Sequence, residues 1–255
     1  MNVNNNLSYR PKISVITVCF NAADVLEKTI QSVISQTYDN LEYIIIDGKS
    51  TDSTHLLLHK YGTHIDKIVS EPDSGLYDAM NKGLELATGD YVNFMNAGDF
   101  FYNPNVITKL IKQVNRQYDI IYGDAIVINP DRSEKYEKPE EDISIISRKP
   151  IYRHNASFTR LSLHRKYPFD LSKIKDYKHA LDYDHIFKIW KAGANFKYVP
   201  IPILKYERAG VSDKPVMNII LNFKVSHQNR YPSLKEYLTL IKKIISTWKQ
   251  TSYKR

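Results

Sequence analysis

The sequence predicts an α/β protein, a mixed and mostly parallel sheet flanked by helices, and three features predict it. Two apolar runs, Ile13 to Phe20 and Tyr43 to Ile46, show no polar alternation, as expected of strands covered on both faces. Segments with helical spacing follow each run, so strand and helix alternate as in right-handed βαβ units. Polar residues then stand at the end of each expected strand, where open α/β sheets collect ligand groups.

The first strand leads to a helix with Leu26, Ile30, Val33 and Ile34 on one face. The second ends at Asp47-Gly48, and Ser50-Thr51-Asp52 offers caps for a helix over Leu56 to Tyr61 that Gly62 stops. Ile68 and Val69 make a short third strand. A turn at Pro72 to Gly75 precedes a helix carrying Leu76, Met80, Leu84 and Ala87, which Gly89 ends. Tyr91 to Met95 reads as a fourth strand entering the Asn96 to Asp99 turn, and Asn103-Pro104 opens a helix with Val106, Ile107, Leu110, Ile111 and Val114 inward. Asp119 to Ile128 is a further strand, and Asn129 to Asp142 an exposed connection or hairpin. Leu181 to Ala192 is helical through Ile186, Ile189 and Trp190. Pro200 and Pro202 make Phe196 to Tyr206 an edge or irregular strand.

The composition, 42% hydrophobic and 25% charged, is that of a globular protein, and no run approaches the roughly 20 apolar residues of a spanning helix. The polar start MNVNNNLSYR lacks a secretion signal, which predicts a cytoplasmic protein. The single cysteine, Cys19, lies in the first apolar run and reads as a small buried hydrophobe. The net charge of +8 resembles a nucleic-acid signal until it is located: Lys214 to Arg255 holds nine Lys/Arg and one Glu, and the rest of the chain balances. No base-stacking or groove-reading motif accompanies it, so no nucleic acid is expected as a partner.

At the strand ends stand Asn21, Asp47, the pair Glu71 and Asp73, and Asn96 to Asp99. Ser50 and Asp52 are equally well explained as helix caps, and Asn96 with Asp99 as a turn. A carboxylate at a strand end before a glycine, as at Asp47, suits the NH groups of a nucleobase or a ribose hydroxyl. Asp99 beside Gly98 leaves room for phosphates, and Mg2+ or Mn2+ favours one or two carboxylates plus phosphate oxygens.

The stretches ISVITVCFNA (Ile13 to Ala22), IIIDGKSTDST (Ile44 to Thr54) and SEPDSGLYDAMNKGLELATGDYVNFMNAGD (Ser70 to Asp99) resemble the bacterial family 2 glycosyltransferases of GT-A fold. The variety most like it builds capsule, O-antigen or colanic-acid-type exopolysaccharide. The likeness is dense over Ile13 to Phe101 and sparser through Arg153 to Phe158, Leu181 to His185 and Ala209 to Asp213. It implies a Rossmann-like sheet and an inverting transfer of sugar from a nucleotide diphosphate-sugar, with a leaning to UDP, to a polyprenyl-linked or oligosaccharide acceptor. It places Thr17, Asn21, Asp47, Ser50, Asp78, Asn81, Lys82, Asn96 and Gly98 at the donor, and Asp99 with His154 at a Mn or Mg ion. It makes Asp182 the base, with Asp184 beside it, and gives Arg153 and Arg148 a part in offsetting leaving-group charge. Gly210 to Ser212 would close over the donor. The chain departs from the family pattern at Asn96 and Gly98, where aspartates are usual, and at Met80, where many relatives carry arginine.

The resemblance divides the chain into residues 1–213, with a nucleotide-sugar half at 10–125 and an acceptor half at 126–213, and a basic helical extension at 214–255. In that extension Leu234, Tyr237, Leu238, Ile241, Ile244, Ile245 and Trp248 form an apolar stripe, with Lys235, Lys242, Lys243 and Lys249 beside or opposite it. Such a helix either packs on the domain or lies on an anionic membrane surface. A nucleotidyltransferase is disfavoured because Phe20 to Ala23 lacks a basic, glycine-rich phosphate loop. A catalytically silent sugar-nucleotide binder is the alternative that Asn96 and Gly98 keep open.

Overall fold

The computed structural model describes residues 9–207, 215–228 and 232–252. Its first half repeats strand and helix: β1 (Ile13–Cys19), α1 (Ala23–Ile34), β2 (Leu41–Asp47), α2 (Thr54–Tyr61), β3 (Lys67–Ser70), α3 (Leu76–Leu86) and β4 (Tyr91–Phe94). These strands are parallel and ordered β3-β2-β1-β4, so the chain winds outward from β1 and then crosses back to its other side. Both faces are covered, which is why the runs do not alternate in polarity. Ile13, Val15 and Cys19 of β1 join Leu26, Ile30 and Val33 of α1 in one core, while Ile16 and Val18 join Tyr77, Met80 and Leu84 of α3 in another.

The second half is mixed. It comprises β5 (Asp99–Phe101), α4 (Val106–Ile111), β6 (Ile120–Ile128), β7 (Glu134–Glu137), β8 (Ser157–Arg160), α5 (Leu161–Lys166), α6 (Ile174–Tyr177), α7 (Leu181–Lys191) and β9 (Phe196–Glu207). Strand β8 inserts antiparallel between β4 and β6, and β9 runs parallel to β6 and antiparallel to β5. The connection at 129–142 contains a hairpin, with β7 antiparallel to β6. Helices α8 (Pro215–Ser226) and α9 (Leu234–Ser252) follow, and Leu221 and Val225 of α8 enter a third core with Ile120, Tyr183 and Ile186.

Strand β9 is irregular, as its prolines require, but it lies inside the sheet order. The conflict is resolved locally: pairing with β5 begins only at Leu204, and the register against β6 shifts around Asp124, opposite Pro202. The loop expected at Gly210 to Ser212 lies outside the described residues.

At the amino ends of these strands one buried charge ties the sheet together. The Glu42 carboxylate accepts from Ser14 Oγ at 2.7 Å, Thr88 N at 2.8 Å, Thr88 Oγ1 at 2.9 Å and Lys67 Nζ at 3.0 Å. Burial pushes this carboxyl upward, but the hydrogen bonds from Ser14, Thr88 and Lys67 outweigh it and hold the pKa at about 2. A depressed carboxylate contributes stability that is present above its unfolded value near 4.5 and lost as pH falls toward 2. Glu42→Gln leaves partners unsatisfied and lowers stability at pH 7 by about 3 kcal/mol, read from urea midpoints. A change below about 0.5 kcal/mol, the size of an ordinary surface substitution, contradicts this role.

Candidate active site

Because β3, β2, β1 and β4 are parallel and hydrogen-bonded in that order, their carboxyl ends form one edge. Neighbouring strands are about 4.8 Å apart. Asp47 pairs in register with Cys19 on β1 and Ser70 on β3, and Ala97 N donates to Val18 O, which brings the 96–99 turn beside β1. The crevice between β1 and β4 is the switch point of the topology.

Asp47 is buried at this edge and accepts from Ser50 N at 3.2 Å, Ser50 Oγ and Ser70 Oγ at 2.6 Å. Ser50 Oγ in turn accepts from Asn21 N, and Asn21 Oδ1 accepts from Thr51 N, both at 2.8 Å. Asp52 caps α2 through Thr54 N and also accepts from Ala23 N at the start of α1. The expected donor contacts Asn21, Asp47 and Ser50 thus knit the two loops into one rim. Asn21 and Lys49 sit in the left-handed region, with φ of 47° and 63°, and that turn holds the rim in shape. A Cβ on Gly48 would lie 2.6 Å from Asp73 Oδ2, so glycine lets the third loop close against the second.

Four other expected donor residues bond within the fold. Thr17 is fully buried and bonded to Tyr43 and to Met95 O at 2.7 Å, because its position on β1 points into the α1-side core. Asp78 caps the turn before α3 by accepting from Ser74 N at 2.8 Å. Asn81 makes a two-way bond with the backbone of Phe169, and Lys82 donates to Pro72 O at 2.7 Å and pairs with Glu71 at 2.8 Å. These side chains brace the loops that carry them.

Across the crevice, Asp99 opens β5. Its carboxylate accepts from Asn155 Nδ2, and its partner across the strands is Tyr206 of β9. Gly98 takes a φ of 96°, a left-handed turn that favours glycine, and donates its N–H to Thr29 Oγ1 at 3.0 Å. Asn96 Oδ1 is buried without a hydrogen-bond partner. Burial raises Asp99 to about 7, against the pull of the Asn155 hydrogen bond and the Arg153 charge.

Asp182, at the start of α7, lines a cavity of about 310 Å³ together with Arg153, His154, His179, Tyr183 and Asn218. Burial raises this carboxyl to about 6, offset by the Tyr183 N–H and by the charges of His179 and Arg153. The charge of Arg153 pulls both the Asp99 and the Asp182 carboxyl downward, against their burial. A larger, more open hollow of about 810 Å³ beside Lys166, Lys173, Lys188 and Lys191 has none of the strand-end residues in its walls.

Asp184, expected to share the catalytic role, is buried and ion-paired to Lys188 at 2.7 Å and Lys173 at 3.3 Å. It faces away from the cavity because two residues on a helix rotate a side chain by about 200°. His154, expected at the metal, is buried in an aromatic cluster, with centroids 5.2 Å from Phe94 and 5.6 Å from Phe169, and burial lowers its pKa to about 3. Among the described residues no three His, Cys, Asp or Glu side chains gather as a metal cluster. His154 therefore forms a neutral part of the cavity wall.

Residues 14–189 match the family model described as glycosyl transferase family 2. The chain belongs to glycosyl transferase family 2. It is similar to an uncharacterized glycosyltransferase of Mycobacterium tuberculosis, 39% identical over 106 residues that cover 41% of this chain and 40% of the relative. It is also similar to a PGL/p-HBAD biosynthesis glycosyltransferase of Mycobacterium bovis BCG, 32% identical over 122 residues, 46% of this chain and 48% of the relative. These matches thus span less than half the length of either relative. The fold is like that of Staphylococcus aureus TarS residues 1–349 in complex with UDP, with a TM-score of 0.65 at 17% identity, covering 92% of this chain and 70% of that one. It is equally like the mannosyltransferase PcManGT of Pyrobaculum calidifontis in complex with GDP-Man and Mn2+, with a TM-score of 0.65 at 18% identity, covering 92% and 69%. The GT-A architecture inferred from the motifs is the architecture of this family 2 glycosyltransferase.

Sequence reasoning missed several residues that hold the candidate site residues in place. Asn155 holds Asp99, Asn93 Nδ2 holds the Asn155 carbonyl at 2.9 Å, and Glu137 with Tyr206 holds Arg153. Asn155 was within a recognised motif, RHNASF, but its partner lies 56 positions away.

Proposed function

We propose that this chain is an inverting glycosyltransferase that moves a sugar from a nucleotide diphosphate-sugar, preferentially a UDP-sugar, to an acceptor hydroxyl in bacterial surface polysaccharide synthesis. The observation that carries the reading is the placement of Asp182 in a cavity whose wall includes Arg153, an arginine whose charge also bears on Asp99. The relatives support the substrate class: one is named for PGL/p-HBAD biosynthesis, and the solved neighbours hold UDP, UDP-GlcNAc or GDP-Man.

In this reading the nucleoside lies on the rim made by Asn21, Asp47 and Ser50, with the diphosphate toward Asp99. Asp182 takes the proton of the acceptor hydroxyl as its oxygen bonds to the anomeric carbon. The bond from that carbon to the diphosphate oxygen breaks, and its electron pair leaves with the nucleoside diphosphate. Attack opposite the leaving group inverts the anomeric carbon, and no covalent sugar-enzyme species is needed. A pKa near 6 suits a base that must be ionised at neutral pH yet still accept a proton.

The Asp99 carboxylate and the unpartnered Asn96 Oδ1 are two oxygens that fit a Mn2+ or Mg2+ ion whose other ligands are phosphate oxygens. Such an ion would neutralise charge on the diphosphate. Gly98 adds no third ligand but leaves the approach open.

The acceptor is proposed to be polyprenyl-linked or an oligosaccharide, and the enzyme to work at the inner face of an anionic membrane. Helix α9 supports this placement. Leu234 is 76% exposed, Leu238 and Ile241 51% each and Ile245 50%, all on one stripe, and Lys235, Lys242 and Lys249 run along its flank at seven-residue spacing. Among the described residues no helix is long and apolar enough to cross a membrane, so attachment would be superficial.

Asp182→Asn removes the base and lowers kcat by about 10²–10⁴-fold, with donor affinity unchanged within about threefold. Because the base must be deprotonated, the wild-type rate falls about tenfold per unit as pH drops below about 6. Equal rates for variant and wild type contradict the assignment. In a flotation assay with phosphatidylglycerol vesicles, the chain binds at low salt and is released at high salt. Removal of residues 234–252 abolishes binding, and undiminished flotation after that removal refutes the membrane placement.

A further inference from the structure

Helix α7 contributes to two hollows. Asp182 and Tyr183 line the cavity of about 310 Å³, whereas Phe187, Lys188 and Lys191 line the open one of about 810 Å³, which the proposed transfer does not use. The other walls of the open hollow come from Lys166 at the end of α5, from Phe169, Asp170, Leu171 and Lys173, and from Gln228 beyond α8. Its lining therefore joins apolar surface to four lysines, with Asp170 as the one carboxylate among them.

The lysines divide into two pairs. Lys173 and Lys188 are explained by the buried Asp184, to which they pair at 3.3 and 2.7 Å, since a buried carboxylate needs cationic partners. Lys188 also stands 3.7 Å from Asp170, and Lys173 donates to Gln228 Oε1 at 3.0 Å. Lys166 and Lys191 have no such partner. Among the described residues neither has a carboxylate within 4.0 Å, and their ammonium groups lie over rings, Lys166 over Tyr167 at 5.4 Å and Lys191 over Phe187 at 5.8 Å. The carboxyl end of α7 favours a cation at Lys191, but it does not account for Lys166 on α5. Four ammonium groups meet two carboxylates, so net positive charge remains over an apolar lining.

The hollow also borders the proposed membrane element. Gln228 lies just past the end of α8, and α9 packs back on α8 through Tyr237 against Phe223, with ring centroids 5.6 Å apart. We infer that this hollow receives the phosphate of an anionic membrane lipid, the phosphate among Lys166, Lys173, Lys188 and Lys191 and the adjoining chain against Phe169, Leu171 and Phe187. The inference rests on the membrane placement of α9 proposed above and adds a head-group site to it. An anion with an apolar neighbour matches a cationic rim over an apolar lining, whereas a free phosphate compound leaves the apolar part unmatched. An exposed phosphomonoester meets more of the lysines than a phosphodiester capped by glycerol, because its charged oxygens are open on one side.

The test floats the full chain with phosphatidylcholine vesicles that contain either phosphatidic acid or phosphatidylglycerol, matched in surface charge by electrophoretic mobility, with the Tm of each variant as a folding control. Wild type is expected to bind the phosphatidic acid vesicles roughly tenfold more tightly. Lys166→Gln combined with Lys191→Gln weakens that binding roughly 10- to 30-fold and brings the two lipids level. Lys109→Gln combined with Lys112→Gln, which removes the same charge outside the hollow, keeps the wild-type preference. No preference in wild type, or the same loss in both pairs of substitutions, overturns the inference while the α9 placement stands. Soluble glycerol 3-phosphate is the competitor that carries the phosphate without the chains, and displacement by it as effective as by short-chain phosphatidic acid overturns the lipid assignment in favour of a free phosphate compound. Failure of wild type to bind either vesicle removes the membrane placement and the inference together, and leaves the transfer reaction, followed by nucleotide release, as it was.

Discussion

Four parallel strands buried on both faces must present their carboxyl ends on one edge, and that constraint organises the rest of the molecule. The edge cannot be apolar, since each strand leaves the sheet there and its backbone groups need partners. Asp47 answers this need for β2 and β3 together, with Ser50 and Ser70 donating to it. Asp52 does the same for the starts of α1 and α2. The resulting rim is cross-linked by side-chain hydrogen bonds.

Cross-linking of this kind extends to the family motifs. Asn81 and Lys82 lie in a recognised stretch yet bond to Phe169 and to the Pro72–Glu71 loop. Thr17 lies in another and bonds within the sheet. Motif residues of this sort define where backbone and cavity walls sit, while Arg153 and Asp182 line the cavity beside α7. Burial works on Asp99 and Asp182 in the same direction, raising both, and one guanidinium moderates both. Two raised carboxyls and a nearby cation are what the proposed proton transfer beside a charged leaving group calls for.

The parallel half was legible because two-sided burial writes itself as unbroken apolar runs, and because capping residues and glycines mark the helix ends. The mixed half was not. Strands β5 and β8 have three and four residues, too short for a periodic signal, and β5 finds its partner in β9 about a hundred positions later. The roles of Asp182 and Asp184 were separable in principle: helical geometry lets only one face the substrate, and Lys188 stands four residues after Asp184, the spacing of a helical ion pair. The packing of His154 was not legible because its aromatic neighbours Phe94, His164 and Phe169 come from three distant segments. The latch on Arg153 has the same character, joining β7, a turn and β9.

The central claim is that the strand-end crevice between β1 and β4 receives a nucleotide sugar. Crystals of the chain soaked with UDP or GDP and Mn2+ test it most directly. The account predicts electron density for the nucleoside on the Asn21 rim and for the diphosphate beside Asp99. Density confined to any other surface, such as the lysine-lined hollow near Lys166, contradicts it.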